Sequence, residues 1–328
     1  KYIINAEASS NINDAIASYD IVIQSYKQNP KKYNIPFEQI KNTFKRLGDL
    51  YNQLNEYTKA INIYKDAIEL FKDMDSGLGI IYNALGLTYY KLGRYNQALD
   101  LYNEAREKTS DEKDLATIFN NIGLVSTSKG DYTQAIEYFN KSLEIYEQDV
   151  NNKEIVAKIY NNVSNLHIEE GRYDKAKENS DNVLELLSDK ANDPEVARAY
   201  NIIATIYKIK GNYDKSLEYL LKALNINEIL FGEKHPETNT INNNIASIYM
   251  NKGDYEKALV NFQKVLEIDK KTFGEEHPST ATSISNIGNI YLYRGEYEKA
   301  LVNFQKVLEI DKKIFGEEHP DIALVYTN

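Results

Sequence analysis

Residues 253–278 read GDYEKALVNFQKVLEIDKKTFGEEHP, and residues 295–320 repeat this stretch at 24 of 26 positions. A near-identical copy within one chain indicates recent duplication of a structural unit. The stretch opens on a turn residue, a polar residue and a tyrosine. That pattern recurs every 37 to 42 residues, with tyrosine at Tyr57, Tyr95, Tyr132, Tyr173, Tyr213, Tyr255 and Tyr297. The chain is therefore an array of similar units.

Each unit is predicted to be a pair of amphipathic helices. Before the last Gly-x-Tyr turn, Ile284, Gly288 and Tyr291 fall at the i, i+4, i+7 spacing of one helical face. Gly295 supplies the turn, because a residue without Cβ can adopt positive φ. A second apolar stripe that includes Phe304 follows the turn. The pattern predicts a stacked helical solenoid.

Small residues mark one position in each predicted first helix and another position twelve residues later in the second helix. The first set is Gly48, Gly86, Gly123, Ser164, Ala204, Ala246 and Gly288, and the second is Ala60, Ala98, Ala135, Ala176, Ser216, Ala258 and Ala300. We expect small residues to face each other within a unit, so that its helices approach closely, and large residues of neighbouring units to fill the space around them.

The joints between units carry signals of their own. Proline stands just before successive first helices, where its fixed φ suits the start of a helix: Pro194, Pro236, Pro278 and Pro320. In the last three joints a Phe-Gly pair precedes a His-Pro pair. The phenylalanine is predicted to be the last buried contact of the preceding helix, and the glycine to be its C-cap.

The same register predicts how the chain is divided. Residues 1–40 are predicted to form a partial N-terminal repeat and linker, residues 41–320 seven tandem repeats, and residues 321–328 the start of a further repeat. Solenoid ends without polar caps suit self-association.

Composition excludes several classes of protein. The chain has 328 residues with 39 Lys+Arg against 49 Asp+Glu, a net charge of −10, which argues against a nucleic-acid partner. Cysteine is absent, so no disulfide, thiolate nucleophile or cysteine-bound metal is expected. No apolar run approaches the ~20 residues that span a bilayer. We therefore expect a cytoplasmic location and no membrane partner.

Four histidines raise the question of a metal or catalytic site. His235, His277 and His319 recur 42 residues apart in equivalent joints, so whole units are expected to separate them, and each is predicted to hydrogen-bond nearby backbone at a helix entry. His167 stands where other units have a core tyrosine, so a satisfied core histidine is expected. No phosphate loop, zinc motif or nucleophile elbow occurs. We predict no enzyme activity, no cofactor and no metal.

These repeats resemble tetratricopeptide repeats. The resemblance rests on the two small positions, the Gly-x-Tyr turn, and aromatic residues that follow the small ones, such as Tyr291 and Phe304. From about residue 190 onward, the Phe-Gly-Glu-x-His-Pro joints are similar to those of kinesin light chain repeats. The resemblance implies an all-α fold, a right-handed superhelical solenoid of helix-turn-helix repeats whose first helices line the inner surface.

Asparagines cluster on the predicted inner face of the first helices. On a helical wheel at ~100° per residue, they lie at or beside the face opposite the core. The candidate peptide-groove residues are Asn83, Asn120, Asn121, Asn161, Asn162, Asn165, Asn201, Asn243, Asn244, Asn286 and Asn289, with Lys158 and Arg198 as a basic spot that favours an acidic ligand. A carboxamide both donates and accepts, so such a ladder suits the backbone of an extended peptide. The alternative is that the asparagines only bridge adjacent helices.

The sequence thus predicts a non-catalytic protein-interaction scaffold that holds an extended or helical segment of a partner in a concave groove. One alternative is the regulatory or sensor region of a larger NTPase or protease, a combination that the resemblance implies. A second alternative is a self-assembling repeat scaffold.

Overall fold

Helices account for nearly all of the residues that the computed structural model describes, which are residues 2–33, 35–73 and 77–315. This part of the chain contains no strand. The chain divides into two compact units, Lys1–Asn152 and Lys153–Asn328, called unit 1 and unit 2.

Unit 1 consists of helices that pack on their neighbours in chain order. They are α1 (Tyr2–Ala8), α2 (Ile12–Gln28), α3 (Pro30–Tyr33), α4 (Phe37–Gln53), α5 (Tyr57–Leu70), α6 (Gly79–Lys91), α7 (Tyr95–Glu107), α8 (Glu112–Ser128) and α9 (Tyr132–Tyr146), with a 3₁₀ turn at Val150–Asn152. Helices α4 and α5, α6 and α7, and α8 and α9 pair as hairpins, and the first helices of successive hairpins also touch.

Unit 2 is built in the same way. Its helices are α10 (Lys153–Glu169), α11 (Tyr173–Leu186), α12 (Pro194–Ile209), α13 (Tyr213–Phe231), α14 (Pro236–Asn251), α15 (Tyr255–Phe273), α16 (Pro278–Tyr293) and α17 (Tyr297–Phe315). The hairpins are α10 with α11, α12 with α13, α14 with α15, and α16 with α17. The stacked hairpins confirm the predicted all-helical repeat architecture within each unit.

The predicted turns and helix starts are confirmed. Each second helix from α5 to α17 begins at the tyrosine of its turn pattern, and α12, α14 and α16 begin at the predicted prolines. At the last turn Gly295 has φ +73°, and the Glu296 amide donates to the Tyr291 carbonyl at 2.8 Å. Asn55 occupies the equivalent place in the first turn, with φ +58°. His319, Pro320 and residues 321–328 lie outside the described residues, so the predicted division of the chain stays a prediction.

The prediction for the small residues needs a correction. A Cβ added to Gly86 would lie 2.7 Å from the Tyr102 ring, and one added to Gly123 would lie 2.7 Å from the Phe139 ring. At Gly86 and Gly123 the large side chain that fills the space therefore comes from the same hairpin, not from a neighbouring unit as predicted. In the hairpin of α12 and α13 the two small positions do meet, since the Ser216 hydroxyl donates to the Ala204 carbonyl at 2.8 Å.

The joints in unit 2 also differ from expectation in one respect. Gly232 and Gly274 cap α13 and α15 with φ of +85° and +94°, as predicted. Phe231 and Phe273, however, are 39% and 42% exposed, so they are not buried contacts. Each ring instead stacks on the histidine four residues later, with centroids 4.7 and 4.6 Å apart. That histidine caps the next helix, since Nδ1 of His235 and His277 accepts the amide hydrogen of the residue two positions on.

Candidate functional site

The first helix of each hairpin, in unit 1 and in unit 2, carries the asparagines that the sequence singled out. We call the surface formed by these first helices the first-helix face. Three hydrogen bonds on this face follow one rule. Asn121 donates to Asn83 at 2.9 Å, Asn244 to Asn201 at 2.9 Å, and Asn286 to Asn243 at 3.2 Å. In every case the donor lies two residues before the small residue of its own first helix. The acceptor lies three residues before the small residue of the preceding first helix. These asparagines therefore bridge adjacent first helices.

Bridging uses only part of what each carboxamide pair offers. A pair has four N–H groups and two oxygens, and the bridge takes one N–H and one oxygen lone pair. All three bridges are only partly buried. Asn121 is buried, whereas both asparagines of each pair in unit 2 are half-buried. All three pairs thus join the repeats, and the two pairs of unit 2 still present donors and acceptors on the first-helix face.

Asn161 behaves differently from the other asparagines. It is fully buried, and its Nδ2 donates to the Glu195 backbone carbonyl at 3.0 Å and to the Glu195 carboxylate at 2.9 Å. The following repeat has Ile202 at the position that would supply a partner asparagine, so Glu195 takes that role. Asn161 is consequently a structural link between α10 and α12 and is not accessible to a ligand.

The remaining predicted residues differ in exposure. Asn165, Lys158 and Arg198 are exposed, whereas Asn120, Asn162 and Asn289 are half-buried. Arg198 lies 3.3 Å from the Glu195 carboxylate one turn earlier in α12. That contact compensates the charge of Arg198, one of the two residues of the predicted basic spot.

Three of the predicted residues meet in one cavity of unit 2. Asn165, Arg198 and Asn201 line a cavity of about 530 Å³, called here the Arg198 cavity, together with the end of α13 and the start of α14. Glu195, Glu237, Asn227 and Phe231 complete its polar and aromatic walls. Sequence reasoning missed these four, although Phe231 belongs to the repeated joint and so marks the place.

A second cavity lies one repeat further on. It has a volume of about 280 Å³. Its lining includes Asn243, Asp269 and Phe273, which lie 42 residues after Asn201, Asn227 and Phe231 of the Arg198 cavity. We call it the Asp269 cavity. Both cavities form where a 19-residue second helix ends beside the start of the next first helix. The Phe-Gly-x-x-His-Pro joint therefore builds one cavity per repeat in this part of unit 2.

His167 is buried, as predicted, but it is not satisfied. Its Nδ1 has no hydrogen-bond partner within the described residues and lies 3.6 Å from the Glu170 carboxylate. Burial lowers the pKa of His167, and Lys175 lowers it further, against an opposing effect of Glu170. Across the described ranges, no group of three His, Asp or Glu side chains is placed to hold a metal ion, and no helix is long and apolar enough to cross a membrane.

A family model described as tetratricopeptide repeat matches residues 39–110, 114–189, 237–313 and 285–328, and a second model with the same description matches residues 196–237. The chain belongs to the tetratricopeptide repeat family, whose members are generally non-catalytic scaffolds that bind protein partners. Among curated protein sequences there is no match.

Solved structures share the fold at low sequence identity. BtubC (BKLC) from P. vanneervenii is 19% identical with a TM-score of 0.57, over 70% of this chain and 93% of that one. A putative kinesin light chain with nearly identical TPR-like repeats from Podosopora anserina is 18% identical with a TM-score of 0.52, over 63% and 99%. Cut9-Hcn1 of the APC/C is 14% identical with a TM-score of 0.62, over 97% and 52%. The first two agree with the kinesin light chain-like type of repeat.

Proposed function

We propose that the chain is a non-catalytic interaction module that binds an extended or helical peptide segment of a partner protein along the first-helix face of unit 2. The observation that carries the proposal is the Arg198 cavity, in which Asn165, Arg198 and Asn201 from two successive first helices line one space of about 530 Å³. A cavity of this size admits a ligand side chain, and its polar walls offer partners for the backbone beside it.

The asparagine bridges support the backbone part of this role. Asn201 and Asn244 hold each other in place, so the N–H groups and the oxygen that the bridge does not use are already oriented. Orienting such groups before binding reduces the entropy lost when a peptide is bound. Because these groups recognise the peptide backbone, they place little demand on the sequence of the ligand.

The charges in the Arg198 cavity modify the predicted ligand. Glu195 compensates Arg198, and Glu237 adds a second carboxylate to the lining. The cavity therefore presents both signs of charge, which favours a polar side chain that donates and accepts over a purely acidic one.

The test is selection of ligands from a displayed library of random twelve-residue peptides against the whole chain. Selected peptides are then measured by calorimetry against a double variant, Asn165→Ala with Arg198→Ala. Both side chains are exposed, and neither takes part in an asparagine bridge. We expect the dissociation constant to rise at least about tenfold, because contacts with a charged group and a carboxamide are lost.

The matched control is Asn225→Ala, an exposed asparagine on second helix α13. It is expected to leave both affinity and melting temperature unchanged, and the double variant is expected to keep the wild-type circular dichroism spectrum. The proposal is wrong if no peptide is enriched, or if enriched peptides bind the double variant as tightly as the wild type. The predicted cytoplasmic location belongs to the proposal, and cell fractionation tests it.

A further inference from the structure

The Asp269 cavity contains a buried carboxylate that two side chains hold in place. Asp269 is 7% exposed. Its Oδ1 accepts from Asn239 Nδ2 at 2.8 Å, and its Oδ2 accepts from the Ser283 hydroxyl. Asn239 and Ser283 come from the successive first helices α14 and α16, while Asp269 lies near the end of α15. The carboxylate is therefore fixed at the junction of three helices.

Among the described residues, none forms an ion pair with this carboxylate. Asp269 is the one charged side chain among the described residues that line the cavity. The next two residues are lysines, but Lys270 pairs with Glu275 at 3.2 Å and Lys271 with Glu267 at 2.6 Å. Burying a carboxylate without an opposite charge is costly, and donated hydrogen bonds compensate only part of that cost.

A second acceptor in the same cavity lacks a partner. Asn239 is 5% exposed, and its Oδ1 forms no hydrogen bond within the described residues. Its amide nitrogen is already committed to Asp269 and to the Val265 carbonyl. The Asn239 carboxamide oxygen is enclosed behind the wall, so the group that the cavity presents to a ligand is the Asp269 carboxylate, whose charge its two neutral donors leave uncompensated. The exposed ring of Phe273 forms part of the wall, and an aromatic face attracts cations.

The neighbouring Arg198 cavity has no buried aspartate at the position equivalent to Asp269. The residue 42 positions before Asp269 is Asn227, which is neutral and likewise buried, with 5% of its surface exposed. Ala197 stands where the Asp269 cavity has Asn239, and Ile241 stands where it has Ser283. The buried aspartate and its two donors therefore occur together in one cavity, and all three positions are occupied by other residues in the neighbouring cavity.

We propose that the Asp269 cavity binds a basic side chain, lysine or arginine, of the peptide held along the first-helix face. This inference rests on the proposed function and adds its selectivity. A guanidinium or ammonium group donates to the Asp269 carboxylate, compensates its charge and packs on Phe273. Calcium requires six or more oxygen ligands, and the cavity offers a single carboxylate.

The test uses the peptide library again, now with reciprocal variants. Asp269→Asn gives the Asp269 cavity the residue of its neighbour, and Asn227→Asp makes the opposite exchange. Peptides selected on the wild type should carry a lysine or arginine at a fixed position. Their affinity should fall at least about tenfold on Asp269→Asn, with the circular dichroism spectrum of the wild type retained. Replacing the basic residue of the peptide by glutamine should cost the wild type the same factor and the Asp269→Asn variant little.

The outcomes separate this inference from the proposed function. If peptides are selected without a conserved basic residue, or bind Asp269→Asn equally well, the basic pocket is wrong and the peptide-binding face stands. If no peptide is selected, the proposed function fails. The pocket is then judged by NMR titration with N-acetyl-arginine amide, where saturable shifts at Asp269 and Ser283 in the wild type alone support it and their absence overturns it.

Discussion

At the residue scale, a tyrosine hydroxyl at one repeat position is satisfied in one hairpin and not in the next. In α5, the Tyr64 hydroxyl donates to Asp49 at 2.7 Å and accepts from Asn52. In α7, the Tyr102 hydroxyl is buried without a partner in the described part of the chain. Burial raises the pKa of both hydroxyls, so both stay neutral.

This difference predicts opposite effects for the same substitution. Tyr64→Phe should lower the free energy of unfolding by about 1–2 kcal/mol, because it removes a hydrogen bond to a carboxylate. Tyr102→Phe should leave it unchanged or raise it by up to about 1 kcal/mol, because a buried hydroxyl without a partner is removed. Urea denaturation of both variants measures the two effects, and equal losses would contradict the assignment.

The glycine–aromatic contact predicts coupling between two positions of a hairpin. Gly123→Ala should destabilise unit 1 by about 1 kcal/mol, because the overpacking against Phe139 exceeds the gain in helix propensity. At the same positions the hairpin of α12 and α13 has Ala204 with Leu220, both buried. Adding Phe139→Leu should therefore restore much of the loss, and a double-mutant cycle by denaturation should give a coupling of about 1 kcal/mol. Strict additivity would show that the two residues do not share the space.

His167 gives unit 2 a pH dependence with a definite sign. Its pKa in the folded state is lowered, so between about pH 6.5 and that lower value the unfolded chain binds more protons. The contribution of His167 to the free energy of unfolding should be constant above about pH 6.5. It should decrease as the pH drops below about 6.5. His167→Tyr introduces the residue found at the equivalent position of other repeats, at Tyr207, Tyr249 and Tyr291. Each of those rings lies beneath a lysine. Thermal unfolding at several pH values should show a shallower acid loss for this variant, and parallel curves would contradict the assignment.

At the scale of the helix, the start of α16 depends on a histidine cap. His277 Nδ1 accepts the Ser279 amide hydrogen at 3.1 Å, which satisfies one of the free N–H groups at a helix start. His277→Ala should cost about 1 kcal/mol, and His277→Asn should cost less because an asparagine caps equally well. Hydrogen exchange at the first amides of α16 checks the local effect. An Asn variant as unstable as the Ala variant would show that stacking on Phe273, and not the cap, stabilises this joint.

The helices themselves follow directly from the sequence, because their signals are local. Gly295 and the prolines at Pro236 and Pro278 determine where helices start and end through their own backbone preferences. From the sequence alone the asparagines could bind a peptide or bridge adjacent helices. The sequence does not decide between the two, because pairing of Asn244 with Asn201 depends on how one repeat is rotated on the next. That rotation results from packing across the whole hairpin, so the residues around the asparagines do not predict it.

At the scale of the whole molecule, the cavities were the hardest feature to predict. Asp269 lies in a run of charged residues that looks like a solvated helix face, and its burial results from the arrival of α14 and α16 beside it. One signal was available: Asn239 and Ser283 interrupt positions that are apolar one repeat earlier, at Ala197 and Ile241. Polar residues at core positions, 30 residues before and 14 residues after a carboxylate, are a local conflict of the kind found at functional sites.

The most direct test of the peptide-binding face is a crystal structure of the whole chain with a library-selected peptide. The peptide should lie on the first helices of unit 2, with its backbone within hydrogen-bond distance of the Asn201–Asn244 pair and a side chain in the Arg198 cavity. A peptide bound to the second helices, or one that leaves both carboxamides and the cavity untouched, would contradict the account.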